Sequence, residues 1–403
     1  MDEKLRAVIA GAYERAPAVR ERFDDAGLLP ADIQTVADLQ KLPVFAKDDL
    51  VARQQADPPF GGMLGVPRDE VRHIFLSPGP IYEVDGGDDD TILRMMHLAL
   101  RQSGFGPGDT VLNTLSYHLV PAGLHLDQAL VEMGCTVIPG GVGNSDLQLK
   151  LLEDLQATGY AGTPSFLMSL IQKSEDQGKP FRHHFRLEKA FVTAEPLPPS
   201  LRQRLTGDYG IQIGNAYGTA ELGVLALSTG PGLALQLLPE PIVELVDPET
   251  GQVVAAGAPG EVVVTLLNPA YPLLRLGTGD MAINGDPAPG SSRQEERTII
   301  LVGRSGEAVK VRGMFVHPNQ LRFAVGQVVQ AAAVQGVVTR AGDRDVFTVR
   351  VALQEDSDTG ELAARLKEAV RQVCRVSVDD VRFIGPDEIG AEERGMLDER
   401  TWA

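Results

Sequence analysis

The central part of the chain alternates between helix-like and strand-like hydrophobic patterns. Apolar residues spaced three and four positions apart predict amphipathic helices, and the short apolar runs between them predict strands. The predicted helices cover residues 92–102, 122–133 and 147–157, and the predicted strands cover 110–114, 136–139, 159–163 and 190–193. Strands separated by helices at this spacing indicate parallel βαβ units. Ligands of such sheets bind beyond the carboxyl ends of the strands, which is where polar loops fall in this chain.

The pattern changes after Gly223. Three predicted strands then follow one another, joined by Pro/Gly turns, at 243–247, 251–254 and 260–266. They predict a β-rich, barrel-like subdomain over about 224–302. Beyond it, the order strand, helix, strand, strand, helix, strand indicates a small ferredoxin-like α+β unit. We therefore predict an α/β protein with a large N-terminal domain, residues 1–302, and a small mobile C-terminal lid, residues 303–403.

Composition and charge narrow the class of partner. Hydrophobic residues at 43% and charged residues at 23% are typical of a globular protein. A formal net charge of -18 argues against nucleic acid or an anionic membrane as the main partner. The chain contains no apolar run of transmembrane length, so we expect no membrane span. Cys135 and Cys374 lie in apolar, strand-like surroundings and are expected to be reduced, buried thiols of a cytoplasmic protein.

The stretch 215–223 carries the most informative combination of side chains. Tyr217, Thr219 and Glu221 surround Gly218 directly after a predicted strand. A tyrosine ring stacks on flat rings, a hydroxyl binds phosphate oxygens, and a carboxylate holds a hard cation such as Mg²⁺. An ordinary strand-to-loop turn with a half-buried tyrosine is the alternative. The rest of the chain decides between the two.

Four segments in the same order and spacing resemble the AMP-forming adenylating superfamily, most closely the phenylacetate–CoA ligase family. They are Thr193-Ala194-Glu195-Pro196, Ala216-Tyr217-Gly218-Thr219-Ala220-Glu221, Leu274-Arg275-Leu276-Gly277-Thr278-Gly279-Asp280 and the hinge-like segment that starts at Gly303-Arg304. The resemblance extends over about residues 40–400. It implies that a carboxylate attacks the α-phosphate of ATP to give an acyl-AMP, from which a thiol, usually that of coenzyme A, displaces AMP. The expected ligands are therefore a small carboxylic acid, ATP or AMP, Mg²⁺ and coenzyme A, and the family also contains homodimers.

The resemblance implies a role for each motif residue. The expected nucleotide contacts are Tyr217 and Gly218 against adenine with Glu195 beside them, Thr219 at the α-phosphate, Asp280 on the ribose hydroxyls and Arg304 at the ribose or phosphate edge. Glu221 is the expected Mg²⁺ ligand, and with Thr219 it forms the predicted catalytic pair. Tyr117 and His118 fall in the stretch that forms part of the acyl pocket.

Simpler interpretations stay open for several of these residues. Asp280 is also compatible with a plain turn, Glu195 with a loop acid and Arg304 with a solvated side chain. Tyr117 and His118 are equally compatible with a pair at the end of a strand.

Two departures from the family pattern affect the chemistry. The phosphate loop is reduced to Ser77-Pro78-Gly79-Pro80, where prolines remove N–H donors, and Glu83 and Asp85 follow it. Negative charge at this place disfavours pyrophosphate. Met396 stands where the family has its catalytic lysine near the C-terminus, and no lysine follows Lys367. Gly306 also replaces an acidic hinge residue.

Two hypotheses follow. The first is a diverged acyl- or aryl-CoA ligase that activates a carboxylic acid with an aryl or apolar group. The second is a catalytically impaired homologue that binds AMP, an acyl-adenylate or a small acid. An intermediate course, in which the protein uses a preformed adenylate or catalyses half of the reaction, is also open.

Overall fold

The structure, a computed structural model, describes residues 1–403 except 78–79, 88, 305–308, 313, 317, 343, 354–358, 375, 386–387, 390–394 and 401–403. It describes the backbone alone at 259, 302–304, 310, 314–315, 319–320 and 359. Within the described residues, no helix is long and apolar enough to span a membrane.

The α-helices in chain order are α1 (Asp2–Arg15), α2 (Pro17–Asp25), α3 (Lys47–Ala56), α4 (Thr91–Gln102), α5 (Ala122–Glu132), α6 (Ser145–Asp154), α7 (Pro164–Asp176), α8 (Phe181–His184), α9 (Pro199–Gly207), α10 (Pro318–Gly326) and α11 (Thr359–Cys374). Short 3-10 helices cover Pro30–Asp32, Val36–Lys41, Arg68–Glu70 and Gln294–Glu296.

The strands in chain order are β1 (Phe45–Ala46), β2 (Val71–Ser77), β3 (Ile81–Gly86), β4 (Thr110–Asn113), β5 (Thr136–Pro139), β6 (Gly159–Gly162), β7 (Lys189–Val192), β8 (Gln212–Thr219), β9 (Gly223–Ser228), β10 (Leu235–Leu237), β11 (Ile242–Val246), β12 (Pro259–Leu266), β13 (Leu273–Gly285), β14 (Thr298–Arg304), β15 (Val309–Val311), β16 (Met314–Val316), β17 (Ala331–Ala341), β18 (Arg344–Leu353), β19 (Asp380–Ile384) and β20 (Met396–Asp398).

A parallel sheet forms the centre of the molecule, as the sequence predicted. Strands β5, β4, β6, β7 and β8 lie side by side in that order and pair in parallel. Neighbouring residues on one strand point to opposite faces, so Leu112 and Tyr160 belong to one hydrophobic cluster while Val111 and Ala161 belong to another. Helices cover both faces, which is why these strands are apolar along their whole length. The predicted α/β class is confirmed.

The β-rich segment extends this sheet instead of forming the separate barrel-like subdomain that its turns predicted. The sheet continues from β8 through β9, β10, β14, β13 and β12 to β11. The change to antiparallel pairing begins at β8 and β9, which are consecutive in the chain and pair as a hairpin. The segment predicted as a strand at 251–254 makes one isolated bridge, Val246 with Val253.

The C-terminal unit has a sheet and a hydrophobic core of its own. Its sheet order is β19-β18-β17-β20, with β17 and β18 antiparallel and the outer two strands parallel to their neighbours. The predicted alternation of strands and helices is present, but the strand before α10 pairs with β15 in a separate hairpin, and β20 takes the edge position beside β17. Strand β14 runs through the predicted boundary at 302/303, and the core of this unit begins at Val309.

Candidate functional site

A cavity of about 850 Å³ lies beyond the carboxyl ends of the parallel strands. Each strand contributes the residues that follow it: Thr114 after β4, Thr163 after β6, Glu195 after β7, and Thr219 at the end of β8. Parallel strands place these loops at one edge of the sheet, which is where the sequence predicted a ligand. Residues of the C-terminal unit close part of the cavity, namely Arg312, Arg340, Arg344, Asp345 and Ser377.

The predicted adenine and ribose residues are joined in the structure. The Tyr217 hydroxyl donates a hydrogen bond of 2.8 Å to Oδ2 of Asp280. Tyr217 is buried in β8, and Asp280 lies on β13. Gly218 follows at a bulge between β8 and β9, where a Cβ would overlap the carbonyl oxygen of Gly223. Glycine at this position therefore lets the hairpin close tightly behind Tyr217.

Glu195 occupies the turn after β7 and lines the cavity. Its carboxylate accepts hydrogen bonds from the backbone N–H (3.2 Å) and the hydroxyl (2.9 Å) of Ser165 at the start of α7. Burial raises the pKa of Glu195, and the charge of Asp345 from the C-terminal unit acts in the same direction. The preceding residue, Ala194, has a φ of 71°, a strained conformation of the kind concentrated at functional sites.

Thr219 and Glu221 follow Tyr217 at the tip of the β8–β9 hairpin. The Glu221 side chain is 2% exposed, and its Oε1 lies 2.7 Å from Nζ of Lys47, the first residue of α3. Burial raises the pKa of Glu221, but the Lys47 ammonium more than offsets this, so that the pKa lies below its ordinary value. Glu221 is therefore an ionised carboxylate in a buried ion pair.

A second buried carboxyl group, that of Glu83 on β3, lies close to this ion pair. Burial, and next the negative charge of Glu221, raise the pKa of Glu83 to about 8. Among the described residues, neither Glu83 oxygen has a hydrogen-bond partner of ordinary geometry, although the Ser77 hydroxyl is close enough to lower its pKa. Glu83 and Glu221 line a smaller cavity of about 410 Å³. It shares four wall residues with the large cavity, namely Ile92, Pro121, His125 and Ala220.

The donor set around Glu221 does not fit a preformed magnesium site. Mg²⁺ is bound by one or two carboxylates together with substrate phosphates. Here the Lys47 ammonium already contacts one oxygen of Glu221. Across the part of the chain that the structure describes, no group of three or more His, Cys, Asp or Glu residues could hold a metal ion. The metal role of Glu221 therefore stays a prediction.

The remaining predicted nucleotide contact, Arg304, is described by its backbone. Arg304 pairs with Asp280 where β13 and β14 meet. Its main chain therefore lies next to the residue that is predicted to bind the ribose. Its side chain lies outside the described part. Pro78 and Gly79 of the reduced phosphate loop and the hinge residue Gly306 also lie outside the described residues.

Tyr117 and His118 stay a prediction for the acyl pocket. The Tyr117 hydroxyl donates to Oδ1 of Asp127 and accepts from Nδ2 of Asn113, each at 2.8 Å. His118 uses its backbone N–H to reach the Ser116 hydroxyl at 3.1 Å. Among the described residues that line the large cavity, this stretch contributes Leu115, Ser116 and Val120, and neither Tyr117 nor His118.

Met396 is buried in the core of the C-terminal unit. It lies on β20, is 2% exposed, and packs so tightly on Gly336 that a Cβ there would overlap its sulfur. The position that the sequence pattern equates with the family lysine thus points into a hydrophobic core and not toward the cavity described above.

Two sets of site residues were not predicted. Lys47 is the first, and its position near the site is revealed only by its ion pair with Glu221, which is distant in the chain. Arg312, Arg340 and Arg344 line the cavity from the C-terminal unit. No local pattern marks any of these residues as functional.

Comparison with known proteins shows similarity to AMP-binding enzymes and to CoA ligases. The profile of the AMP-binding enzyme family matches residues 91–266, which contain β4 to β9 and the Tyr217 hairpin. The resemblance predicted from the sequence is confirmed, because the chain is also 29% identical to a phenylacetate-coenzyme A ligase of Aromatoleum evansii over 95% of this chain and 87% of that protein.

Comparison with solved structures shows that the fold of the whole chain resembles that of a CoA ligase. The structure matches 2-hydroxyisobutyryl-CoA ligase, solved with 2-HIB-AMP and CoA in the thioesterification state, with a TM-score of 0.85 at 22% identity, over 99% of this chain and 89% of that one. The same ligase in its postadenylation state gives a TM-score of 0.69 at 22% identity, over 99% and 88% of the two chains.

Proposed function

We propose that this protein is an adenylate-forming ligase that joins a carboxylic acid to the thiol of coenzyme A. In the first step a carboxylate oxygen attacks the α-phosphorus of ATP, pyrophosphate leaves, and an acyl-AMP forms. In the second step the thiolate attacks the acyl carbonyl and AMP leaves with the electron pair of the broken bond. The observation that carries the proposal is the Tyr217–Asp280 hydrogen bond, because Gly218 and Thr219, the two residues after Tyr217, line the cavity beyond the parallel strands.

Each residue of this pair has a physical role in the proposed site. The Tyr217 ring offers a face for adenine, and Asp280 offers a carboxylate that accepts hydrogen bonds from the ribose hydroxyls. The Thr219 hydroxyl at the tip of the hairpin stabilises the charge that develops on the α-phosphate. Glu195 lines the same cavity, where its carboxylate is proposed to lie beside the adenine.

The acid is proposed to carry an aryl or apolar group. Apolar side chains form much of the wall of the large cavity, namely Ile92, Met96, Leu115, Val120, Phe166, Met168, Phe191 and Val224. Such a wall binds a flat or branched hydrocarbon group by removing it from water. The relative from Aromatoleum evansii, a phenylacetate-coenzyme A ligase, supports an aryl acid.

Coenzyme A is the proposed acceptor because arginines surround the cavity. Arg204 and the three arginines of the C-terminal unit, Arg312, Arg340 and Arg344, line it. Guanidinium groups bind phosphates in bidentate geometry, and coenzyme A carries several phosphates. The higher TM-score against the thioesterification state than against the postadenylation state supports an arrangement suited to the thiol step.

Thioester formation tests this proposal with two starting materials. The protein is incubated with coenzyme A and either ATP plus a panel of acids or the matching synthetic acyl-AMP, and acyl-CoA is measured by mass spectrometry. We expect acyl-CoA from an aryl acid under both conditions. Asp280→Ala should lose the product in both, and an acid panel without product from either starting material would contradict the proposal.

A second candidate is a homologue that binds AMP or an acyl-adenylate without activating an acid. Two observations favour it: Glu83 brings a carboxyl group to the Glu221 side of the site, and Met396 lies in a hydrophobic core. Calorimetric titration with AMP and ATP distinguishes the two. Tight AMP binding, weak ATP binding and no acyl-CoA from acyl-AMP would favour the binding protein over the ligase.

A further inference from the structure

The pairing of β1 with β13 positions Lys47 near the candidate site. Lys47 follows β1, whose two residues Phe45 and Ala46 pair in parallel with Leu276 and Gly277 of β13, the strand that also carries Asp280. The pairing fixes where α3 begins, and Lys47 is its first residue. The register of β1 therefore determines where the ammonium lies.

The position of Lys47 is unfavourable for the helix that it starts. The N-terminus of a helix carries a partial positive charge, which disfavours a cation and favours anions. Asp48 and Asp49 in the same turn follow that preference, whereas Lys47 does not. The interaction that offsets this cost is the ion pair with Glu221, with 2.7 Å between Nζ and Oε1. The Lys47 side chain therefore stabilises Glu221 in the candidate site and does not stabilise the helix.

Two buried carboxyl groups feel the charge of this one ammonium: Glu221 in direct contact, and Glu83 close enough for its pKa to be lowered by it. The side chain of Glu221 is 2% exposed, and Glu83 is 5% exposed with neither oxygen hydrogen-bonded among the described residues. A buried carboxylate needs a cation or hydrogen-bond donors to offset its loss of hydration. In a site built around Mg²⁺, the metal supplies that charge. In this chain the Lys47 ammonium supplies a positive charge at Oε1 of Glu221.

We propose that the Lys47 ammonium is the resident cation of this site and takes the place of a divalent metal at Glu221. It neutralises Glu221 permanently and excludes Mg²⁺ from the carboxylate, since a divalent ion and an ammonium repel each other at one oxygen. The acyl-adenylate site is then complete without metal. The inference rests on the proposed function, because only an adenylate-forming site is expected to bind a divalent metal at Glu221. Its test measures metal binding and does not depend on turnover.

Binding of Mn²⁺, a spectroscopic stand-in for Mg²⁺, tests the inference directly. Free Mn²⁺ is counted by electron paramagnetic resonance in titrations of the full-length wild-type protein, Lys47→Met, Lys47→Arg and the double variant Lys47→Met/Glu221→Gln. We expect Lys47→Met to bind Mn²⁺ at least about tenfold more tightly than wild type, because it releases a buried carboxylate. Lys47→Arg and the double variant should remain at the wild-type level.

Lys4→Met is the matched control. Lys4 also bridges two carboxylates, Asp89 at 3.1 Å and Glu240 at 3.0 Å, and has a similarly half-buried side chain. If removal of any lysine between two acids created a metal site, Lys4→Met would gain Mn²⁺ as well. We expect no gain at Lys4.

Two outcomes would overturn the inference. One is a wild-type protein that binds Mn²⁺ as tightly as Lys47→Met, and the other is a folded Lys47→Met that gains no affinity. If Lys47→Met does not fold alone, Mn²⁺ in the refolding buffer should restore its melting transition, and failure to restore it counts against the inference. A failure of the proposed function would instead appear as missing acyl-CoA in the wild-type protein, while Lys47→Met still binds Mn²⁺ more tightly than wild type.

Discussion

The hydroxyl of Tyr217 donates a 2.8 Å hydrogen bond to the carboxylate of Asp280, although the two residues lie 63 positions apart. The bond links the hairpin that ends the parallel half of the sheet to β13 in the antiparallel half. The adenine face and the ribose acceptor of the proposed nucleotide site are thus assembled before a ligand binds, which reduces the ordering cost of binding.

Asp280 is expected to determine nucleotide affinity. Asp280→Ala should lower AMP affinity by roughly 10- to 100-fold, because a hydrogen bond to a charged group contributes about 1.5–3 kcal/mol. Tyr217→Phe keeps the ring and removes only the hydroxyl, so its effect should be smaller. Isothermal titration calorimetry with AMP measures both variants, and equal losses in the two would contradict the ribose assignment.

Arg275 is expected to stabilise the fold, although it lies in one of the motif segments. It is 1% exposed and bonds Glu244 (3.0 Å) and the carbonyl oxygens of Leu42 (2.6 Å) and Gly251 (2.7 Å). Arg275→Met leaves Glu244 buried without its partner and should cost about 3–5 kcal/mol in the free energy of unfolding. Urea denaturation measures the change.

The double variant Arg275→Met/Glu244→Gln serves as the control for this prediction. It removes the buried negative charge along with the positive one, and should therefore recover part of the loss. A folded Arg275→Met with unchanged stability would show that the ion pair contributes nothing.

Met396→Lys should fail to restore a catalytic lysine. The side chain lies in the core of the C-terminal unit against Gly336 and Phe347, so a lysine there buries an ammonium among apolar groups. We expect several kcal/mol of destabilisation and no gain in adenylation. Met396→Leu, which keeps the side chain apolar, is the control. Melting curves and pyrophosphate release measure the two effects, and a stable lysine variant with faster adenylation would contradict the assignment of Met396 to the core.

His125 is expected to make stability depend on pH. It lines both cavities, with its ring edge-to-face on Phe75 at 5.5 Å between centroids. Burial lowers its pKa, with opposing contributions from Asp85, which raises it, and His73, which lowers it further. The unfolded chain, with a histidine pKa of about 6.5, therefore takes up the proton first as the pH falls. The stability contributed by neutral His125 is present above that pH and is lost progressively below it.

Melting temperatures of the wild-type protein and His125→Gln between pH 8 and pH 5 measure this dependence. The difference between the two proteins should narrow in acid, since the variant has no proton to take up at this position. A constant difference across the range would contradict the prediction.

The parallel centre of the fold was predictable because its signals are local. Helical spacing over 92–102 and the apolar run at 159–163 each reflect contacts made within one βαβ unit, and both predictions hold within a few residues in α4 and β6. Gly218 was predicted as a nucleotide contact, which stays a prediction, whereas its place at the tight bulge between β8 and β9 was not predicted.

The rest of the fold and of the candidate site depends on contacts between residues that are far apart in the sequence, which local patterns do not reveal. The strands after Gly223 extend the central sheet instead of closing a barrel, because strand partners are chosen by pairing across many residues. Met396 matched a family position by alignment, but the face of β20 on which it lies is fixed by its pairing with β17. Lys47 gains its role only through Glu221, which is far away in the chain.

Carboxylate-dependent exchange of labelled pyrophosphate into ATP tests the central proposal most directly, since it reports adenylation alone. With an aryl or apolar acid we expect exchange that requires the acid and is lost in Asp280→Ala. Absence of exchange with every acid, in a protein that binds AMP tightly and forms no thioester from synthetic acyl-AMP, would contradict the assignment as an adenylate-forming ligase.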